Sequence, residues 1–235
     1  MKILSIGNSY SQDSTRYLHQ LAQSCGVELD TANLFIGGCP LSLHHRKMLT
    51  EEKAYCYELN GKYTYLNASI KEALLAADWD VVTLQQQSFR STDYSTFQPY
   101  LNNLAEYVRK HVPQAKIAMH QTWGYRDGEA CLQHYQDGSA MFADVEKSYD
   151  KAMQDINADI ILKSGKAFEM LKENGISDFY RDPIHASLGL GRYTLGLVWL
   201  KTLTGTDPHS VGEIKLDEAI SEKDMEIAKK VAAEI

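Results

Sequence analysis

The chain has 235 residues, 44% hydrophobic and 23% charged, which suits one soluble α/β domain with a sizeable core better than two small ones. A formal charge of −7 leaves no basic stripe to displace counterions, so a nucleic-acid backbone is excluded as partner. Apolar runs stay strand-sized, short of the roughly 18 residues a membrane span needs.

No apolar signal segment follows Lys2, and a cytoplasmic location is expected. Cys25, Cys39, Cys56 and Cys131 lie scattered with no CxxC pair. They read as reduced thiols, not as a disulfide or zinc framework.

Strand and helix patterns alternate along most of the chain. Residues 2–6 read as a first strand, and Asp13 or Ser14 as the cap of a helix carrying Tyr17, Leu18, Leu21 and Ala22 inward. Residues 27–36 read as a second strand that runs into the turn Gly37-Gly38-Cys39-Pro40. His44-His45-Arg46 reads as a solvated helix start. Adjacent side chains on a helix diverge by about 100°, so joint metal ligation by this pair is not expected, and no metal site is predicted.

Residues 55–66, with Asn60-Gly61 at the centre and aromatic residues at alternate positions, read as a β-hairpin inserted near the active-site edge. Tyr55, Tyr57, Tyr63 and Tyr65 suit strand pairing or a homodimer surface better than a lid. Further helices are expected over 69–77, 96–111, 137–157, 164–174 and 188–203, with strands at 80–84, 115–120 and 159–162. The tail beyond residue 211 makes one more amphipathic helix.

The expected fold is α/β: a three-layer αβα sandwich on a five-stranded parallel sheet in the flavodoxin-like order 2-1-3-4-5. It forms a single domain, with a core over 2–205 and a helical extension over 206–235.

Chemistry concentrates at the predicted C-terminal strand tips. Gly7-Asn8-Ser9 follows the first strand, which puts Ser9 at a helix start, where N–H groups can hold a developing negative charge. Asp182-Pro-Ile-His185 follows the fifth strand. An Asp three residues before a His can accept from Nδ1–H and leave Nε2 facing a serine. The glycine turn lets a backbone N–H, from Gly38 or Gly37, approach an oxyanion. Gln85-Gln86-Gln87 ends the third strand, and one of these amides is expected to complete the hole, with Gln86 favoured. Gln85, Gln87, Trp123 and Tyr125 are expected to line the substrate, although the two aromatics suit packing under the loop equally well.

The set resembles the SGNH/GDSL hydrolases. Gly7-Asn8-Ser9 matches their first block with Asn8 where Asp is usual, Gly38 the second, and Asp182…His185 the last. The third block departs, with Leu84-Gln-Gln-Gln-Ser88 in place of G-x-N-D; carbohydrate-acting relatives such as sialate acetylesterase-like enzymes use a Gln there. The resemblance implies a cofactor-free serine esterase acting on a small acyl ester, often on a sugar. Ser9, His185 and Asp182 then form the triad, and the oxyanion donors come from Ser9, Gly38 and Gln86. Two other readings are a flavodoxin-like flavin-binding module, given the hydroxyl-rich 8–15 loop, and a catalytically silent glycan-binding member of the same fold. A third makes Cys39 the nucleophile.

Overall fold

The computed structural model describes residues 1–235. Its strands are β1 (Lys2–Gly7), β2 (Asp30–Phe35), β3 (Tyr55–Leu59), β4 (Lys62–Ala68), β5 (Val81–Leu84), β6 (Lys116–Gln121) and β7 (Ile160–Lys163). They build one sheet in the order β4-β3-β2-β1-β5-β6-β7. Five of them, β2-β1-β5-β6-β7, are parallel; β3 and β4 add antiparallel at the β2 edge. The sheet is therefore seven-stranded and mixed, not five-stranded and parallel. The difference comes from the 55–66 hairpin, which pairs with β2 instead of standing apart as an insertion.

The hairpin also points the other way. Its turn residue Asn60 exchanges hydrogen bonds with Thr31 at the N-terminal end of β2, so the tip lies at the far edge from Ser9. An antiparallel partner starting beside Phe35 can only descend, which the sequence pattern alone does not reveal.

Nine helices cover the two faces: α1 (Ser9–Thr15), α2 (Leu18–Ser24), α3 (Leu41–Thr50), α4 (Ile70–Leu74), α5 (Tyr100–His111), α6 (Gly138–Asp155), α7 (Ser164–Glu173), α8 (Leu190–Thr204) and α9 (Glu222–Glu234). Period-two alternation sorts the strand residues between layers. Ile3, Val81, Ala118 and Leu162 pack under α1, α2, α7, α8 and α9, with Trp199 and Phe168 among the largest side chains. Leu4, Ile6, Val82, Leu84, Ile117 and Met119 pack under α3 to α6. The tail helix α9 joins the first layer through Ala228, Val231 and Ala232. No helix is long and apolar enough to cross a membrane.

Two local expectations are corrected. The helix expected from Asp13 onward starts at Ser9 and is two helices, because the Asn8 side chain accepts from Tyr10 N–H and caps α1. His44 is not a solvated helix start. It is fully buried, stacks on Tyr55 and meets the Tyr55 hydroxyl at 2.8 Å through Nδ1.

Candidate active site

Ser9 stands at the first position of α1, just past the tip of β1. Gly7 permits this approach of helix to strand: a Cβ there lies 2.4 Å from Ser11 Oγ and 2.7 Å from Gln85 Oε1, which no side chain tolerates. As the first helical residue, Ser9 has a backbone N–H with no intrahelical acceptor.

Asp182 and His185 come from the loop between α7 and α8. The loop closes on itself: Asp182 Oδ1 accepts from the N–H groups of Ile184 (2.9 Å) and His185 (2.8 Å), while Oδ2 meets His185 Nδ1 at 2.7 Å. The far ring nitrogen, Nε2, lies 2.8 Å from Ser9 Oγ. A hydroxyl, an imidazole and a carboxylate thus form one hydrogen-bonded series. Burial works to raise the Asp182 pKa, but the two N–H donors and the His185 ring outweigh it, and the carboxyl sits below its usual range.

The turn carrying Gly37 and Gly38 is tied to the same place, since Asn8 Nδ2 donates to Cys39 O at 3.1 Å. Gly38 has φ +62°, the left-handed region that favours glycine, and the turn closes with Cys39 N–H on Ile36 O.

Strand alternation separates the three glutamines. Gln85 turns to the α1 layer, where Nε2 donates to Asn8 Oδ1 (2.8 Å) and Oε1 meets His120 Nδ1 (3.0 Å). Gln86 turns to the opposite layer and is fully buried. Its Oε1 accepts from Leu41 and Gln87 N–H, and its Nε2 donates to Thr96 O and Oγ1. Gln86 is therefore not free to donate to an oxyanion, and Gln85 does not line a substrate; both amides are spent inside the fold. Gln87 is half-buried and bonds only its neighbours, donating from Nε2 to Ser88 Oγ and accepting at Oε1 from Arg90 N–H.

The aromatic expectation is corrected too. Trp123 is fully buried, stacked on Tyr10 at 3.9 Å between centroids, and its Nε1 donates to Ile184 O. Tyr125 is also buried, its hydroxyl 2.9 Å from Ser88 Oγ. Trp123 supports the Asp182–His185 loop from beneath and offers no open face to a ligand.

Three features escaped the sequence reading. Asp13, fully buried on α1, binds Arg181 and Arg192, which anchors the first helix to the residue preceding Asp182. His120 and Gln85 brace Asn8 from behind the nucleophile. A cavity of about 490 Å³ beside the pair is lined by Glu129, Ala130, Cys131, Pro183 and Ile184. No group of three or more His, Cys, Asp or Glu side chains gathers in a metal-binding cluster.

The family model for DUF4886, a domain of unknown function, matches residues 2–235. The chain belongs to the DUF4886 family. A solved DUF4886 protein from Bacteroides uniformis is 30% identical, with a TM-score of 0.92 over 100% of this chain and 93% of that one. More distant structures include a candidate SGNH hydrolase from Slackia heliotrinireducens (22% identity, TM-score 0.61, 86% and 98% of the two chains). Another is Axe2, an acetylxylan esterase from Geobacillus stearothermophilus (14% identity, TM-score 0.58, 91% and 97%). At these identities the likeness is one of fold, so this DUF4886 chain has the fold of the SGNH/GDSL hydrolases. A comparison with curated proteins finds no significant sequence match.

Proposed function

We propose that this DUF4886 protein is a serine esterase that removes a small acyl group from a carbohydrate. The observation that carries the reading is the 2.8 Å and 2.7 Å hydrogen-bonded series from Ser9 Oγ through His185 to Asp182. His185 Nε2 takes the Ser9 proton as Oγ attacks the ester carbonyl, and Asp182 holds the ring and stabilises the imidazolium. The protonated ring then gives its proton to the departing alcohol. Water, deprotonated by His185, attacks the acyl-enzyme; collapse releases the carboxylic acid and returns the proton to Ser9.

The oxyanion donors in this reading are the N–H groups of Ser9 and Gly38, with Gln87 Nε2 replacing Gln86 as the side-chain donor. The acyl group takes the cavity beside Cys131 and Ile184, next to the apolar cluster that includes Phe89 and Tyr135. Carbohydrate is favoured as the alcohol because Axe2, of the same fold, is an acetylxylan esterase.

Two rival readings, the flavin module and the Cys39 nucleophile, lose support. Ser11, Ser14 and Thr15 turn their hydroxyls onto backbone carbonyls of their own helix and leave little for a flavin phosphate. Burial pushes the Cys39 thiol up to about 12, far from a thiolate nucleophile.

The test is hydrolysis of p-nitrophenyl acetate by wild type, Ser9→Ala and His185→Ala, with a fluorophosphonate probe to locate the nucleophile. The expected result is a loss of at least about 10³-fold in kcat in each variant and an adduct on Ser9 alone. Full activity in Ser9→Ala overturns the reading.

A further inference from the structure

Helix α1 is buried on every side but one. Its solvent stripe is Ser9, Gln12 and Arg16, at i, i+3 and i+7, within about 60° of one another around the axis. The stripe starts at the nucleophile and ends about 10 Å further along the helix. Beyond Ser9, its Gln12 and Arg16 form the floor of a cavity of about 430 Å³ whose lining also includes Glu58, Lys62, Tyr63 and Tyr65.

The hairpin wall is fastened to the helix. Gln12 Nε2 donates to Glu58 Oε1 (2.6 Å) and to Tyr63 Oη (2.9 Å), and Arg16 donates to Gly61 O. Glu58, only 3% exposed, also accepts from Asn33 Nδ2 at 2.7 Å, which holds the whole wall to β2. On the other side Arg16 and Arg192 share Asp217. These bonds fix the polar groups before any ligand arrives, yet the Tyr65 ring is 97% exposed and the Lys62 ammonium has no acidic partner. A large aromatic ring left in water on a short hairpin, beside preorganised amide, carboxylate and guanidinium groups, is a ligand surface in search of flat apolar faces and vicinal hydroxyls.

We infer that the groove along α1 between the hairpin and Arg192 is the subsite for the alcohol half of the substrate, and that its ligand is an oligosaccharide chain. The inference rests on the esterase reading for its substrate and deepens it. Sheet order puts the groove on the β2 side of Ser9 and the Cys131 cavity on the β6 side, so acyl and alcohol leave the ester carbon in opposite directions. About 10 Å of floor accommodates two pyranose rings. Two tyrosine rings among otherwise polar and charged lining residues give a lipid chain no continuous apolar channel. Tyr63 and Tyr65 offer ring faces to sugar C–H surfaces, Lys62 offers donors to hydroxyls, and Gln12, whose amide protons go to Glu58 and Tyr63, offers its carbonyl oxygen as an acceptor.

The experiment compares kcat/KM on p-nitrophenyl acetate with kcat/KM on O-acetylated β-1,4-linked tetrasaccharides of glucose, xylose and N-acetylglucosamine. Tyr65→Ala changes only an exposed side chain; Gln12→Ala removes the tie to Glu58. In each variant the ratio for at least one tetrasaccharide to the nitrophenyl ester is expected to fall roughly tenfold, through KM, as for one lost stacking or hydrogen-bond contact. Equal losses on both kinds of substrate, or none on any, overturn the inference.

A wild type that hydrolyses neither kind of ester sinks the esterase reading instead. The groove is then judged by titrating the unacetylated tetrasaccharides into 15N-labelled protein. Shifts at the Gln12 side-chain amide and at residues 61–65 uphold it; shifts confined to 129–131 and 184, or none at millimolar sugar, overturn it.

Discussion

Asn8 occupies the position where the SGNH first block usually has an aspartate, and its contacts explain why an amide is required here. Oδ1 accepts twice, from Tyr10 N–H and Gln85 Nε2, while Nδ2 donates to the Cys39 carbonyl. An aspartate keeps the first two bonds and turns its second oxygen against a carbonyl oxygen. Asn8→Asp is expected to cost about 1–3 kcal/mol, the penalty of a buried acceptor without a donor, and to loosen the glycine turn beside Ser9. Urea denaturation checks the first effect and kcat on p-nitrophenyl acetate the second. The same reasoning separates two neighbouring glutamines. Gln86→Ala leaves Leu41 N–H and Thr96 without their partners and is expected to lower stability by several kcal/mol. Gln87→Ala, at a half-buried side chain, is expected to leave the melting temperature within a few degrees while turnover falls about 10²–10³-fold, the usual effect of losing an oxyanion donor. Turnover retained in Gln87→Ala removes it from the oxyanion hole.

The Asp182–His185 loop is held as a unit from two sides, by Trp123 Nε1 on the Ile184 carbonyl and by Arg181 on Asp13. Asp13 is fully buried between two guanidinium groups, and removing its charge leaves Arg181 with no acidic partner and Arg192 with Asp217 alone. Asp13→Asn is expected to destabilise the protein by about 3–5 kcal/mol, equivalent to roughly 6–20 °C in a domain of this size, measured by calorimetry. Such couplings mark the limit of what the sequence discloses. The Asp182…His185 pair was legible because three residues of spacing bring acid and imidazole together in one local turn. Ser9 was legible from its place after an apolar strand. Asp13, by contrast, read as a helix cap, since nothing local announces partners 168 and 179 residues away. The triple glutamine held a usable clue: consecutive strand residues face opposite layers, so Gln85 and Gln86 cannot share one site. Trp123 and Tyr125 were ambiguous because a ring beside a site and a ring beneath it have the same sequence signature. The parallel strands were readable from their apolar runs, whereas the hairpin's pairing with β2 depends on a register that only the folded sheet defines.

Two imidazoles buried in opposite layers are expected to make the folded protein sensitive to acid. His44 faces Tyr55 in the layer of α3 to α6; His120 lies between Gln85, Ser14 and Trp199 on the α1 side. Desolvation pushes each pKa down to about 3, against an ordinary value near 6.5. Below pH 6.5 the unfolded chain takes up a proton at each site that the native state refuses, so stability is complete above that pH and is lost as pH falls toward 3. Between pH 7 and pH 5 the linkage amounts to about 2 kcal/mol per histidine, roughly 4 kcal/mol in total. The Asp182 carboxyl, held low, contributes in a different window: its share persists above the ordinary carboxylate range near 4 and fades only under stronger acid. Urea unfolding of wild type at pH 7 and pH 5 is therefore expected to differ by about 4 kcal/mol, and by about half of that in His120→Gln, whose amide retains a donor toward Gln85 but does not titrate. The two sites lie in separate layers with no shared partner, so the remaining half belongs to His44 and adds independently. An unchanged difference between pH 7 and pH 5 in His120→Gln shows that the acid-sensitive groups lie elsewhere.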